Sequence, residues 1–178
     1  MTPIPKPPIH PPVRPLRPVQ TVLAFGSNLG NREANIRAGL AALPSHGVTV
    51  TAVSDLIESV AVKPTGEDPS APRYLNGVAL VRTALAPLAL LRSVQAIEAG
   101  LGRVRTEHWG DRTLDIDIIA YGNLVLTTDH LVLPHPRAGE RSFVLAPWLE
   151  LDPGAVLPGA GPVARLLESL PNSFGAAT

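Results

Sequence analysis

The residues best suited to chemistry lie in one stretch, Gly102 to Tyr121, which reads GRVRTEHWGDRTLDIDIIAY. Its second half alternates Asp115 and Asp117 with Leu114, Ile116 and Ile118, the period of a strand and not of a helix. Residues two apart on a strand point to the same side, so both carboxylates stand on one face while the aliphatics enter a core on the other. Two carboxylates about 7 Å apart on a stiff backbone can hold one or two hard cations. Arg103, Arg105, His108 and Arg112 precede them, and guanidinium groups grip phosphate oxygens with forked pairs of N–H donors. Carboxylates for Mg²⁺ beside arginines for anions point to a metal–polyphosphate substrate. The same pattern on an edge strand also describes a solvated face with exposed ion pairs, which contributes little energetically. Spacing alone leaves both readings open.

The elements that must position this stretch follow from periodicity and punctuation. Val19 to Phe25, followed by Gly26-Ser27-Asn28-Leu29-Gly30-Asn31, predicts a strand, a turn and a helix start. Asn28 or Asn31 is the cap, and Ile36, Leu40 and Leu43 carry the helix to Pro44. That turn lacks the Lys-Ser/Thr of a P-loop and the G-x-G-x-x-G spacing, so it is a weak phosphate signal. Val48 to Val53 predicts a second strand, followed by Leu56 to Val62 and a polar loop over Pro64 to Pro69. Tyr74 to Arg82 predicts a third strand, interrupted by Asn76. The Asn76 amide can offer a donor and an acceptor to a heterocycle edge, or be tied to nearby backbone.

Pro87 opens a helix whose apolar stripe is Leu88, Leu90, Leu91, Val94, Ile97 and Leu101, ending at Gly100 and Gly102. Gln95 and Glu98 share one face of it, and Glu98 is either a surface residue or an organiser of the arginine segment. After the strand at 113 to 121, Gly122-Asn123 predicts a hairpin turn with Leu124 to Leu126 as its return. Leu131 to Pro136 reads as an extended run ending in a locked turn. Arg137, Arg141 and Phe143 fall on a short helix to Leu151, and Val163 to Leu170 forms a closing helix. The order β-α-β-β-α-β predicts an α+β fold, a ferredoxin-like βαββαβ sandwich with an added hairpin and C-terminal helices.

The 178 residues suit one domain over 19–170, between a Pro-rich tail at 1–18 that holds eight prolines and a frayed end at 171–178. Apolar residues make up 45% and charged ones 17%, a globular balance. Fifteen basic and fifteen acidic residues cancel, which argues against broad nucleic-acid or anionic-membrane binding. There is no cysteine, so disulfides, thiolate metal sites and Cys nucleophiles are excluded. No apolar run is long enough to span a bilayer, and the expected location is cytoplasmic.

Phe25-Gly26-Ser27-Asn28-Leu29-Gly30, Tyr74-Leu75-Asn76, Gly102-Arg103-Val104-Arg105, Trp109-Gly110, Arg112-Thr113-Leu114-Asp115-Ile116-Asp117 and Leu133-Pro134-His135 occur together in this order. Together they resemble the 6-hydroxymethyl-7,8-dihydropterin pyrophosphokinases of folate biosynthesis over about residues 20 to 165. The resemblance implies transfer of the terminal diphosphate of ATP to the pterin hydroxymethyl group with release of AMP, by a monomer that binds neither nucleic acid nor membrane. It implies Asp115 and Asp117 as ligands of two Mg²⁺ ions, with Arg103 and Arg112 stabilising the phosphates in transfer. Gln95, Glu98, Arg105, Trp109, Arg112, His135 and Arg141 are implied for ATP. Phe143 with an opposing side chain, Tyr74, Asn76, Asp117 and groups near Ser59, Val60 and Val62 are implied for the pterin. It singles out no general base.

Two departures stand out. His108-Trp109-Gly110-Asp111-Arg112 replaces the family's Arg-Trp-Gly-Pro-Arg, and Pro136 stands where a Tyr often follows the His. Two other readings remain: a silent module that binds pterin or nucleotide without turnover, and a ferredoxin-like RNA-binding domain. Two Trp, two Tyr and three Phe give the latter few stacking platforms. Asp115→Ala and Asp117→Ala are each expected to abolish turnover while leaving the fold intact, read as an unchanged circular dichroism spectrum. Near-normal turnover in either would refute the metal-ligand assignment.

Overall fold

The computed structural model describes residues 17–63, 66–68, 70–102 and 113–170. The segment 1–16, the arginine segment with Arg103, Arg105, His108, Trp109, Asp111 and Arg112, and the end at 171–178 lie outside the described residues. So does the Val62 side chain. In chain order the elements are β1 (Val19–Ser27), α1 (Arg32–Ala42), β2 (Val48–Val53), β3 (Ile57–Ser59), β4 (Ala61–Lys63) and β5 (Gly66–Asp68). Then come β6 (Tyr74–Thr83), α2 (Pro87–Gly100), β7 (Asp115–Tyr121), β8 (Leu126–Thr127) and β9 (Val132–Leu133). The chain continues with α3 (Ser142–Leu151), β10 (Val156–Leu157), β11 (Gly161–Pro162) and α4 (Val163–Ser169).

The main sheet runs β2-β6-β1-β7 with every neighbour antiparallel, and β3 extends the β2 edge along the far half of β6. This is the strand order of the ferredoxin-like sandwich expected from the sequence. β1 is central and buries both faces, so its apolar residues run almost without interruption. Leu23 and Phe25 join Ile36 of α1 and Leu90, Val94 and Ile97 of α2 on one side. Val22 joins Val144, Leu145 and Trp148 of α3 and Val163 of α4 on the other. The sheet is therefore a middle layer between two helix pairs. Leu114, Ile116 and Ile118 pack on the α1/α2 side as their alternation requires.

Helix boundaries follow local chemistry. The Asn31 side chain accepts from the Ala34 N–H at 3.1 Å and so caps α1. Pro44 enters a 3-10 turn over Leu43–His46, which Gly47 ends at φ 78°, a backbone region that favours glycine. Pro87 starts α2, where its missing N–H costs no helix bond. Pro147 lies inside α3, and its ring nitrogen cannot donate to the Phe143 carbonyl one turn back.

Several local expectations are corrected. β1 continues through Gly26 to Ser27, because antiparallel pairing with Leu75 and Asn76 of β6 holds these residues in the sheet. The stretch from Leu56 to Val62 is two short strands, and the polar loop after it contains β5, which pairs back on β4. Leu124 to Leu126 is not the return of β7. After the Gly122-Asn123 turn, β8 pairs with β9 in a hairpin of its own. Of Arg137, Arg141 and Phe143, only Phe143 lies in α3; a 3-10 turn at Ala138–Glu140 separates the two arginines. Among the described residues no helix is long and apolar enough to cross a membrane.

Gly39 lets α1 approach the start of β7. A Cβ there would stand 2.5 Å from Cδ2 of Leu114, itself fully buried. Overpacking of this kind costs about 1–3 kcal/mol, against a helix-propensity gain of about 1 kcal/mol for replacing Gly. Gly39→Ala is thus expected to lower stability by about 1 kcal/mol, read as an earlier urea midpoint at unchanged slope.

Candidate active site

The β1 end of the sheet builds the site row by row. Gly26 lies opposite Asn76 of β6 on one side and Asp115 of β7 on the other, so these three residues share one face. Ala24 likewise lies between Val78 and Asp117. Val78 is buried in the α3-side cluster, so the carboxylates face α3 and not α1 and α2. Yet Ala24 and Gly26 are only half-buried, although they sit on a central strand with helices on both faces. Two small residues in successive rows leave a trough that α3 does not fill. A Cβ on Gly26 would stand 3.4 Å from Asn76 Oδ1 and 3.6 Å from Tyr74 Cδ1, so both line the same hollow.

The start of α3 forms one wall. Arg141 donates to Asp117 Oδ2 at 3.0 Å, with both side chains largely removed from water. Its guanidinium also lies over the Phe143 ring, 5.8 Å from the centroid. At the far end of the helix Glu150 accepts from the Asp55 N–H at 3.3 Å. α3 is thus pinned across the sheet from β7 to the break between β2 and β3.

His135 reaches the site from the turn after β9, beyond the cis Leu133–Pro134 peptide. β7 carries a bulge at Ile119, since Val22 pairs with Ala120 but Leu23 pairs with Ile118. The Ile119 carbonyl accepts the His135 N–H at 2.9 Å. The ring Nδ1 accepts from the Arg137 N–H at 3.1 Å, which places the proton of the neutral ring on Nε2, 3.8 Å from Asp117 Oδ2. Burial lowers the His135 pKa below its ordinary value, outweighing the opposite pull of Asp117. The ring is therefore neutral at pH 7, and its contact with Asp117 is dipolar and not an ion pair.

The opposite wall comes from β3 and β6. Asn76 is buried and donates through Nδ2 to Ser59 Oγ at 2.9 Å, so its side chain is fixed by a side chain and not by local backbone. Ser59 and Tyr74 are paired across the strands. Arg32 clamps this edge from α1, donating to the Arg73 carbonyl and, at 2.7 Å, to Glu58 Oε1. The Glu58 carboxyl, beside Arg32 and Arg73, is held below the ordinary Glu range. Val60 is half-buried between β3 and β4, and Gln95 is half-buried on α2.

Of the two readings of Glu98, surface residue or organiser of the arginine segment, burial excludes the first. Glu98 is 2% exposed, and its Oε1 accepts the Ile116 N–H at 2.7 Å, between the two aspartates of β7. The sequence reading also missed Ala24 and Gly26 as site residues. Their signal was present, as small side chains two apart in an otherwise bulky strand. Arg32, Glu58 and Arg73 are 41 positions apart at their extremes and carry no local signal.

The donor set suits a hard cation, with acidic oxygens on one face beside an open trough. Among the described residues no three His, Cys, Asp or Glu groups converge as a cage, and a pair of carboxylates suits a cation that arrives with further oxygens on a ligand. That is how Mg²⁺ is ordinarily held with polyphosphates.

The sequence model of the 7,8-dihydro-6-hydroxymethylpterin-pyrophosphokinase (HPPK) family matches residues 22–153. The 2-amino-4-hydroxy-6-hydroxymethyldihydropteridine pyrophosphokinase of Bacillus subtilis is 43% identical over 130 residues, covering 72% of this chain and 75% of its own length. The Pseudomonas aeruginosa protein of the same name is 41% identical over 150 residues, covering 84% of this chain and 90% of its own. A solved structure of the HPPK-DHPS of Plasmodium falciparum is similar in fold, with a TM-score of 0.64 at 13% identity over 85% of this chain. The chain spans 44% of that protein's length. Family model, curated relatives and fold agree: the chain belongs to the 7,8-dihydro-6-hydroxymethylpterin-pyrophosphokinase family.

Proposed function

We infer that this chain transfers the terminal diphosphate of ATP to the hydroxymethyl group of 6-hydroxymethyl-7,8-dihydropterin and releases AMP. The observation that carries this reading is the row Asn76–Gly26–Asp115, which sets an amide and a carboxylate at opposite sides of a trough floored by glycine. A flat heterocycle fits such a trough if its faces meet aromatic or guanidinium groups and its edge meets fixed hydrogen-bonding groups. Phe143 and Tyr74 serve as the faces, and Asn76, held by Ser59, reads the edge together with groups near Val60 and Val62. The pterin hydroxymethyl group then points toward Asp115 and Asp117.

In the reaction the hydroxyl oxygen bonds to the β-phosphorus of ATP. The bond from that phosphorus to the oxygen bridging to the α-phosphate breaks, and AMP leaves with that oxygen. The hydroxyl proton passes to solvent, since no side chain is singled out as base. Asp115 and Asp117 would hold two Mg²⁺ ions against the triphosphate, which supply charge neutralisation and alignment when bound. Arg141 keeps Asp117 aimed into the trough, and neutral His135 offers its Nε2–H beside the same carboxylate. Gln95, Glu98, Arg105 and Trp109 serve the ATP side, and Arg103 and Arg112 stabilise the transferring phosphates. The protein works as a cytoplasmic monomer, its single domain spanning 19–170.

Incubation with Mg²⁺, ATP and the pterin, with nucleotides resolved by chromatography, is expected to give AMP only when the pterin is present. ADP would overturn the transfer geometry, and ATP binding without product would make the chain a silent module. Gly26→Val puts a branched side chain against Asn76 and Tyr74 in the trough. It is expected to raise the pterin KM by about tenfold or more, the weight of one or two misplaced methyl-sized groups, with ATP affinity unchanged. An unchanged pterin KM would place the heterocycle elsewhere.

A further inference from the structure

β7 is the edge strand of the main sheet beyond β1. Every second N–H on its outer side therefore needs a partner from outside the sheet or from water. At Ile116, midway between Asp115 and Asp117, that partner is Glu98 Oε1 at 2.7 Å. Glu98 is 2% exposed and lies on the buried face of α2 beside Leu90, Val94 and Ile97. A carboxylate is rarely buried unless its oxygens are engaged, because removing it from water carries a large penalty. A charge-assisted bond to a backbone N–H is about twice as strong as a neutral one. The other buried residues of α2 are aliphatic, which sets Glu98 apart on that face.

We propose that Glu98 is a positioning residue: it fixes the backbone of β7 from behind, so that Asp115 and Asp117 present their carboxylates in one geometry to a metal–nucleotide ligand. A shift of one peptide in β7 would tilt both side chains together, since they flank the anchored N–H on either side. Groups that orient metal-binding carboxylates typically change metal affinity by about ten- to a hundredfold when removed. This inference rests on the reading of Asp115 and Asp117 as metal ligands and deepens it, giving Glu98 a place on the ATP side that acts through Ile116 and not by contact with the nucleotide.

Two variants separate the acceptor from the charge. Glu98→Gln retains a carbonyl acceptor at the same reach, while Glu98→Met fills the space without a strong acceptor. In Glu98→Met, amide hydrogen exchange at Ile116 is expected to quicken by about tenfold or more, with the amides paired to β1 unchanged. Binding of Mg²⁺ with a non-hydrolysable ATP analogue, measured by calorimetry, should weaken by about ten- to a hundredfold, and pterin affinity should not move. Glu98→Gln should restore both readings in large part, its neutral carbonyl making the weaker bond to the same N–H.

If Glu98→Met leaves Ile116 exchange and Mg²⁺–nucleotide affinity unaltered, or if Glu98→Gln falls as far as Glu98→Met, the proposal is overturned. Should Glu98→Met fail to fold, Glu98→Asp takes its place: the shorter side chain keeps the charge but falls short of the Ile116 N–H, and unaltered Ile116 exchange and Mg²⁺–nucleotide affinity in it would overturn the proposal. A chain with a protected Ile116 that forms no AMP would refute the function and leave the anchor standing. AMP formation with an unprotected Ile116 would do the reverse.

Discussion

Strand β7 has an obligation on each of its four sides, and the rest of the molecule depends on their being met together. Its inner edge pairs with β1, and one face buries Ile116 and Ile118 against α1 and α2. The other face presents Asp115 and Asp117 toward the start of α3. The outer edge receives Glu98 at the Ile116 N–H and His135 at the Ile119 carbonyl. A side-chain period of two makes this possible, because burial on one face fixes the register and with it the direction of every carboxylate on the other. The bulge at Ile119 changes the alternation only after the two aspartates. It lets Ile119 and Ala120 both reach the α3-side core.

The opening beside these carboxylates results from subtraction. A central strand covered by helices on both faces is ordinarily closed to solvent, yet Ala24 and Gly26 leave unfilled volume where β1 meets the start of α3. α3 is tied at both ends beside it. One end is tied to Asp117 through Arg141 and the other to Asp55 through Glu150. The hollow is thus part of the folded ground state, and the cost of keeping apolar surface open there is borne by two densely packed clusters on either side of the sheet.

Charge in the site is arranged in opposed pairs. Arg141 faces Asp117, and Arg32 and Arg73 share Glu58 on the far wall. His135 stays neutral because its ring is buried, which lowers its pKa against the opposite pull of Asp117. A neutral donor beside the Asp117 carboxylate adds no positive charge to compete with Arg141 there.

The sequence by itself determined a good deal of this protein. Alternation in Leu114 to Ile118, the apolar stripe from Leu90 to Leu101 and the cap at Asn31 report local periodicity and local hydrogen bonding, whereas Leu88 of the expected stripe is exposed. For that reason the βαββαβ order and the shared face of Asp115 and Asp117 could be read without coordinates. The bounds of the short strands could not, because β4, β5, β8 and β9 are two or three residues long and exist through their partners. Nor could the trough at Ala24 and Gly26, the clamp of Arg32 on Glu58 and Arg73, or the burial of Glu98. Each depends on residues brought together across tens of positions by the packing of α2 and α3 on the sheet. A spacing rule reports which way a side chain leaves its own backbone, and only the tertiary structure decides what it meets there.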